Sequence, residues 1–156
     1  MIFATVGTQL PFPRFLEAID RIAGRRGLRV VAQTCDPDSS YAHMETHAAF
    51  APSTFDCLVR SSDIIVGHAG IGTILSAARA EKPAVLFARR ADLGEHRNDH
   101  QLATLSSFRT RPGIYIATTE DELEHYMTAS DLKPFTTDDV TTRQPLIDGL
   151  HAFINC

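Results

Sequence analysis

The chain of 156 residues has little cysteine, no long apolar run and no excess of basic residues. Its three cysteines, Cys35, Cys57 and Cys156, are an odd number without close spacing, which argues against a disulfide framework and against a zinc site. A chain of this kind is expected in a reducing cytoplasm. The formal net charge of -4 does not favour nucleic acid as a partner.

Signals for secretion or membrane insertion are also lacking. The opening residues, MIFATVGTQ, carry no basic lead and no apolar stretch of signal-peptide length. No segment reaches the roughly 18 apolar residues that a membrane helix needs. We therefore expect a cytoplasmic protein whose contact with a membrane comes through a partner or a surface patch.

What the chain does contain is a regular alternation of strand and helix patterns. Apolar and β-branched runs predict strands at 2–6, 28–34, 63–67, 83–87 and 113–117, with a weaker candidate at 46–50. Helical spacing of apolar residues between them predicts helices that include 11–27, with Gly24 and Gly27 as end signals, 51–61 and 72–81. Thr119, with Glu122 three residues on, predicts a capping box at the start of a further helix. This alternation predicts one α/β domain over residues 1–156, a Rossmann-like, doubly wound and mostly parallel sheet with helices on both faces.

The segment HAGIGT, residues 68–73, lies where a buried strand gives way to a helix. The start of a helix presents unpaired backbone N–H groups and the positive end of the helix dipole. Glycines at 70 and 72 let an anion approach the backbone, and Thr73 adds a hydroxyl donor. The turn suits a phosphate, but it is neither G-x-G-x-x-G nor a Walker loop, and a merely tight turn explains the glycines equally well.

A second turn of the same kind follows the first strand, where Gly7 and Thr8 precede a helix. In a doubly wound sheet, the loops after the first and fourth strands flank the point where strand order reverses, and ligands bind there. Two small turns that carry hydroxyl groups would then face one crevice of a size suited to a diphosphate.

The segment GEHRNDHQ, residues 94–101, allows two interpretations. His96 and His100 are spaced i, i+4, and a helix would place them on one face beside Asp99, which permits metal binding. No third ligand has a clear spacing, so we favour a polar segment that hydrogen-bonds a ligand, and we expect neither a metal nor a cofactor. No G-x-S-x-G elbow indicates a nucleophilic serine.

Segments 4–20, 61–87 and 95–105 together resemble the carboxy-terminal half of the family-28 glycosyltransferases of the GT-B fold, over roughly residues 1–117. The closer likeness is to small members that consist of this half alone. These are the cytosolic subunit of the eukaryotic dolichol-linked GlcNAc transferase and the subunit of a bacterial exopolysaccharide glucuronosyltransferase. Both kinds work with a separate membrane-anchored chain that supplies the other half.

The resemblance implies a subunit of an inverting transferase that holds a UDP-sugar donor. The sugar, a hexose, HexNAc or hexuronic acid, would pass to a polyprenyl-diphosphate-linked saccharide at the cytoplasmic face of the membrane. The donor-binding residues carried over by motif are Gly7, Thr8, His68, Ala69, Gly70, Gly72, Thr73, His100 and Gln101. The general base of the relatives lies on the other half, so this chain is not expected to supply it.

One position departs from the family, because Ser76 stands where a relative has a glutamate that binds the ribose. Arg89 and Arg90 are candidates to pair with a uronate carboxylate, or else they lie on the surface. The final segment, 143–156, carries an apolar stripe at helical spacing that we expect to dock the partner chain in part. The competing functional interpretation is a non-catalytic nucleotide-binding or regulatory module that keeps the fold.

Overall fold

The computed structural model describes residues 1–95, 105–106 and 108–136. Six strands form one sheet in the order β3-β2-β1-β4-β5-β6, and all of the pairings between them are parallel. The strands are β1 (Ile2–Thr5), β2 (Val30–Gln33), β3 (Glu45–His47), β4 (Ile64–His68), β5 (Ala84–Phe87) and β6 (Ile114–Ala117). The order is typical of Rossmann-like folds, and the predicted doubly wound sheet is confirmed.

The described residues include four α-helices: α1 (Pro13–Arg26), α2 (Pro52–Ser61), α3 (Ile71–Arg79) and α4 (Glu120–Thr128). Helix α1 ends at Gly27, which adopts a left-handed φ of 63°. Gly24, which the sequence suggested as a second end signal, lies inside α1, where the His43 ring fills the space that a Cβ would take. None of the helices in the described ranges is long and apolar enough to cross a membrane.

Helices cover both faces of the sheet because the strand side chains alternate between two apolar layers. Ile2 and Ala4 of β1 belong to the layer beneath α1 and α4, whereas Phe3 belongs to the layer beneath α2 and α3. The first layer includes Phe15, Leu16, Ile19, Ile22, Leu123 and Met127 from its helices. The second includes Val59, Ile74, Ala77 and Ala78. The strands are therefore buried from both sides, as parallel strands require.

Helix α4 begins with the capping pattern that the sequence predicted, in a modified form. The hydroxyl of Thr119 accepts a hydrogen bond from the Glu122 N–H at 3.2 Å. The Glu122 carboxylate reaches one residue further back than in the usual box and accepts from the N–H and the hydroxyl of Thr118, both at 2.7 Å. These bonds hold the pKa of Glu122 below its ordinary value.

Beyond α4 the chain passes from one apolar layer to the other. Leu132 packs against the layer of α1, but Phe135 lies in the opposite layer and is only 1% exposed. The Phe135 N–H donates to the Lys82 carbonyl at 3.2 Å, and its backbone occupies the place where a side chain on Gly113 would lie. The segment thus closes the amino ends of β5 and β6, opposite the ends that carry the glycine turns.

Removal of the Phe135 ring should therefore destabilise the folded chain. We expect Phe135→Ala to lower the free energy of unfolding by about 3–5 kcal/mol, the usual cost of emptying a buried aromatic site. Urea denaturation measures this change, and Phe135→Leu, which keeps most of the apolar volume, should lose clearly less. Equal stability of Phe135→Ala and the unchanged chain would show that the segment does not belong to the core.

Candidate functional site

The candidate site lies at the carboxyl ends of β1 and β4, which are neighbours at the centre of the sheet. Strand order reverses here, and a cavity of about 610 Å³ opens between the loops that follow these strands. Gly7 and Thr8 line it from the loop after β1, and the whole segment 68–73 lines it from the turn after β4. The two turns that the sequence singled out therefore face one cavity.

The ring of His68 joins the two turns. A Cβ on Gly7 would lie 2.8 Å from His68 Cε1, and Gly7 itself adopts a φ of 80° that favours glycine. A Cβ on Gly70 would also collide with this ring, at Nε2. The imidazole thus fits between two glycines, and a larger residue at either position would displace it.

The two glycines of the second turn have different reasons to be glycine. Gly70 makes room for His68, whereas a Cβ on Gly72 would meet no atom within 4 Å. Gly72 lines the cavity and is therefore the position where a ligand can approach the backbone freely. The sequence alone did not separate these roles.

The first turn of α3 is arranged to receive an acceptor from outside the helix. Gly70 is its N-cap and supplies no side-chain hydrogen bond, and its carbonyl accepts from the N–H groups of Thr73 and Ile74 at 3.1 and 3.3 Å. The N–H groups of Ile71 and Gly72, which precede these two, have no acceptor within the helix. Thr73 is only 5% exposed, and its methyl group packs against Gly67. The positive end of α3 thus faces the cavity, which suits an anion.

Ser76 lies one turn further along α3 and also lines the cavity. Its hydroxyl donates to the Gly72 carbonyl at 2.9 Å, a bond within the helix. The hydroxyl oxygen can still accept a hydrogen bond, but the position offers no negative charge to a ligand.

Gln33 and Phe50 belong to the site although the sequence did not indicate them. The Gln33 side chain is 2% exposed, donates to the Gly7 carbonyl at 2.8 Å and accepts from the Phe50 N–H at 3.4 Å. Phe50 was assigned to a strand at 46–50, but β3 ends at His47, so Phe50 lies in the following loop and lines the cavity. A polar residue at the end of a fully buried strand was the only available signal for Gln33.

Phe50 and Phe55 give one end of the cavity an aromatic wall. Both rings pack on Phe3, with centroid distances of 6.1 and 5.2 Å, and the second pair is T-shaped. Phe50 precedes α2, and Phe55 lies near its start. The lining of the cavity thus combines aromatic side chains with the backbone of the glycine turns.

Arg89 lines the cavity but does not lie on the surface. It is 2% exposed and donates to the carbonyls of Pro11 at 2.6 Å, Val6 at 3.3 Å and Leu10. Burial lowers its pKa from the ordinary value, but a guanidinium stays charged at neutral pH. Arg90 is exposed and pairs with Asp92 at 2.5 Å. Both arginines are committed to the protein itself.

The remaining predicted residues lie outside the described part of the chain. His96, His100 and Gln101 belong to the segment 96–104, and the apolar stripe belongs to 137–156. Of the described residues that line the cavity, only His68 and Arg89 have ionisable side chains.

Comparisons with known proteins agree with this fold. Among solved structures, the chain is similar to the glycotransferase of kitacinnamycin, with a TM-score of 0.62 and 19% identity over 97% of this chain and 38% of that one. It is also similar to ALG13, with a TM-score of 0.65 and 20% identity over 96% of this chain and 93% of that one. A third match is Arabidopsis thaliana UGT89C1 complexed with UDP-L-rhamnose, with a TM-score of 0.54 and 11% identity over 99% of this chain and 38% of that one.

At identities this low, the structural similarity establishes the fold alone, which is one Rossmann-like half of a GT-B transferase. The chain spans only 38% of the kitacinnamycin glycotransferase. No curated protein matches the chain. The family model for the glycosyltransferase family 28 C-terminal domain matches residues 1–134. The chain therefore belongs to the glycosyltransferase family 28 C-terminal domains.

Proposed function

We propose that this chain is the donor-binding subunit of an inverting UDP-sugar glycosyltransferase. The observation that carries the proposal is the pair of glycine turns that meet around His68 in one cavity, at the uncapped start of α3. Family membership of residues 1–134 supports the same conclusion. Calorimetry with UDP is the direct test, and a chain that binds no UDP in the presence or absence of its partner would exclude the proposal.

We expect the cavity to hold a nucleoside diphosphate in one orientation. The diphosphate would lie at the start of α3, where Gly72 leaves the backbone open and Thr8 lines the opposite turn. The uracil ring would lie against the aromatic wall of Phe50 and Phe55. The ribose would then pass Ser76, which offers a hydroxyl acceptor in place of a carboxylate.

In the proposed reaction, an acceptor hydroxyl attacks the anomeric carbon of the donor sugar. The bond between that carbon and the diphosphate oxygen breaks, and UDP leaves with the electron pair. Backbone N–H groups at the start of α3 stabilise the charge that develops on the leaving diphosphate. The acceptor proton goes to a general base, which we assign to a partner chain because His68 is packed between the donor turns and Arg89 is held by carbonyls.

The proposed acceptor and partner rest on the resemblance to small members of the family, which work with a membrane-anchored chain. In agreement with this resemblance, the chain covers 93% of ALG13 but 38% of the kitacinnamycin glycotransferase. We therefore propose a polyprenyl-diphosphate-linked saccharide as acceptor, and a location at the cytoplasmic face of the membrane through the partner. Co-expression with candidate membrane-anchored chains, followed by a screen of UDP-sugars on the membranes, tests both. A non-catalytic module would bind UDP and restore no transfer.

Donor transfer should depend on His100 and Gln101 but not on a metal. In the reconstituted enzyme, His100→Ala or Gln101→Ala should reduce donor use by an amount equivalent to one buried hydrogen bond, about 1–3 kcal/mol. EDTA should leave the rate unchanged, because helix N–H groups rather than a cation stabilise the leaving group. The exposed His125→Ala is the matched control. A strict requirement for an added transition metal would instead favour the metal interpretation of His96 and His100.

A further inference from the structure

Arg89 joins two loops that border the cavity. From the loop after β5, its guanidinium reaches the loop after β1 and donates to carbonyls at Val6, Leu10 and Pro11. The same group also donates to the carbonyl of Glu95 at 3.4 Å. One buried side chain thus ties the loop that carries Gly7 and Thr8 to residues 88–95.

The ring of Phe12 holds the guanidinium in place. Arg89 Cζ lies 4.6 Å from the centroid of Phe12, which is fully buried and stacks on Phe15 at 5.3 Å. A cation above an aromatic ring in a buried place is held more strongly than an exposed one. The orientation of the guanidinium is therefore set by the core and not by solvent.

A second arginine fixes the loop after β5 from the other side. Arg14 of α1 makes a two-pronged bond to the Glu95 carboxylate, at 2.5 and 2.8 Å, and donates to the Ala88 carbonyl at 3.0 Å. Glu95 also accepts from the Arg90 N–H at 2.9 Å. Burial works to raise the pKa of Glu95, but the bonds from Arg14 and Arg90 outweigh it and leave the pKa below its ordinary value. Arg89 is thus anchored to a loop that is itself held rigidly.

Arginine suits this place because its planar group presents five N–H donors in a fixed fork. Lysine offers one ammonium nitrogen and cannot reach three carbonyls in that plane with the same geometry. Carbonyls that lose such a donor while buried would turn toward water or toward other donors, and the loop would move.

We infer that Arg89 is a positioning residue of the donor site: through its bonds to the carbonyls of the loop after β1, it holds the Gly7–Thr8 turn in the place where that turn meets the diphosphate. The effect of Arg89 on donor binding rests on the proposed function. The ordering of the loop by Arg89 stands on the observed contacts and can be measured without any ligand.

Backbone 15N relaxation and UDP titration of the same labelled chain test this inference. Arg89→Met should raise the mobility of residues 7–10 while α1 and β4 keep theirs, and it should weaken UDP binding by about tenfold or more, the equivalent of one charge-assisted hydrogen bond. The same substitution should weaken the binding of uridine, which lacks the diphosphate, by less than about twofold. Arg89→Lys should show a loop mobility and a UDP affinity between those of Arg89→Met and the unchanged chain. Arg21→Met, a change at an exposed arginine paired with Glu120, should match the unchanged chain in every measurement.

The outcomes separate this inference from the proposed function. An unchanged loop in folded Arg89→Met overturns the inference, and so does a mobile loop with undiminished UDP affinity or an equal loss for UDP and uridine. If Arg89→Met does not fold, Arg89→Lys decides by the same criteria. If the unchanged chain binds no UDP, the proposed function fails, and the loop mobility alone still decides whether Arg89 orders the turn.

Discussion

Gly72→Asp is expected to abolish UDP binding while the chain stays as stable as before or becomes slightly more stable. The new carboxylate would lie at the edge of the cavity, where no atom within 4 Å opposes a Cβ. Its repulsion of the diphosphate would cost several kcal/mol of binding free energy, which lowers the affinity for UDP more than a hundredfold. An acidic residue in the first turn of α3 favours the helix by about 0.3–1 kcal/mol, so folding and binding should change in opposite directions.

Calorimetry with UDP and a thermal melt measure both effects. Gly72→Asn has nearly the same size without the charge and should keep much more of the affinity, which separates repulsion from bulk. Gly70→Asp is a poorer test because its side chain would run into the His68 ring. Undiminished UDP affinity in Gly72→Asp would move the diphosphate away from the start of α3.

The purified chain is expected to transfer no sugar until its partner is added. The described part of the cavity brings two ionisable side chains, His68 and Arg89, and both are engaged in holding the donor turns. An acceptor hydroxyl would thus find no general base among the described residues that line the cavity. Adding the membrane-anchored partner should raise the rate from background to full turnover, as measured by transfer from labelled UDP-sugar to a lipid-linked acceptor.

Docking of that partner is expected to need the apolar stripe of 143–156, which lies outside the described residues. Deleting residues 144–156 should abolish pull-down of the partner and lower the melting temperature comparatively little. Ser61→Ala, an exposed change at the end of α2, serves as a control for pull-down. An active assembly with the truncated chain, or full activity of the intact chain alone, would exclude the two-chain proposal.

The arrangement of the sheet could be predicted because it depends on local patterns. Apolar runs and helical spacing identified the strands and helices, and topology rules then placed the turns after β1 and β4 side by side. The capping residue Thr119 was equally visible, since its hydrogen bond joins positions three residues apart. Element ends were less accurate, as at β3, where sheet pairing stops at His47 and leaves Phe50 in the loop.

The roles of particular side chains could not be predicted because they depend on contacts between distant segments. Arg89 was a surface or ligand candidate from its position in the chain, yet it bonds to carbonyls near residue 10. The purpose of Gly70 became apparent only when the path of His68 was known. Gln33 links two loops that follow different strands, and no spacing pattern records such a link.

The central pairing of the sheet also determines when the site can form during synthesis. Ile2 pairs with Val30 on one side and with Ile64 on the other. The first pairing needs only one intervening helix, whereas the second must wait for β2, β3 and α2, and such distant contacts form slowly. A nascent chain that ends before β4 has the turn of Gly7 but nothing opposite it. The cavity therefore cannot form before β4 joins the centre of the sheet, because the turn 68–73 that faces Gly7 lies at the end of that strand.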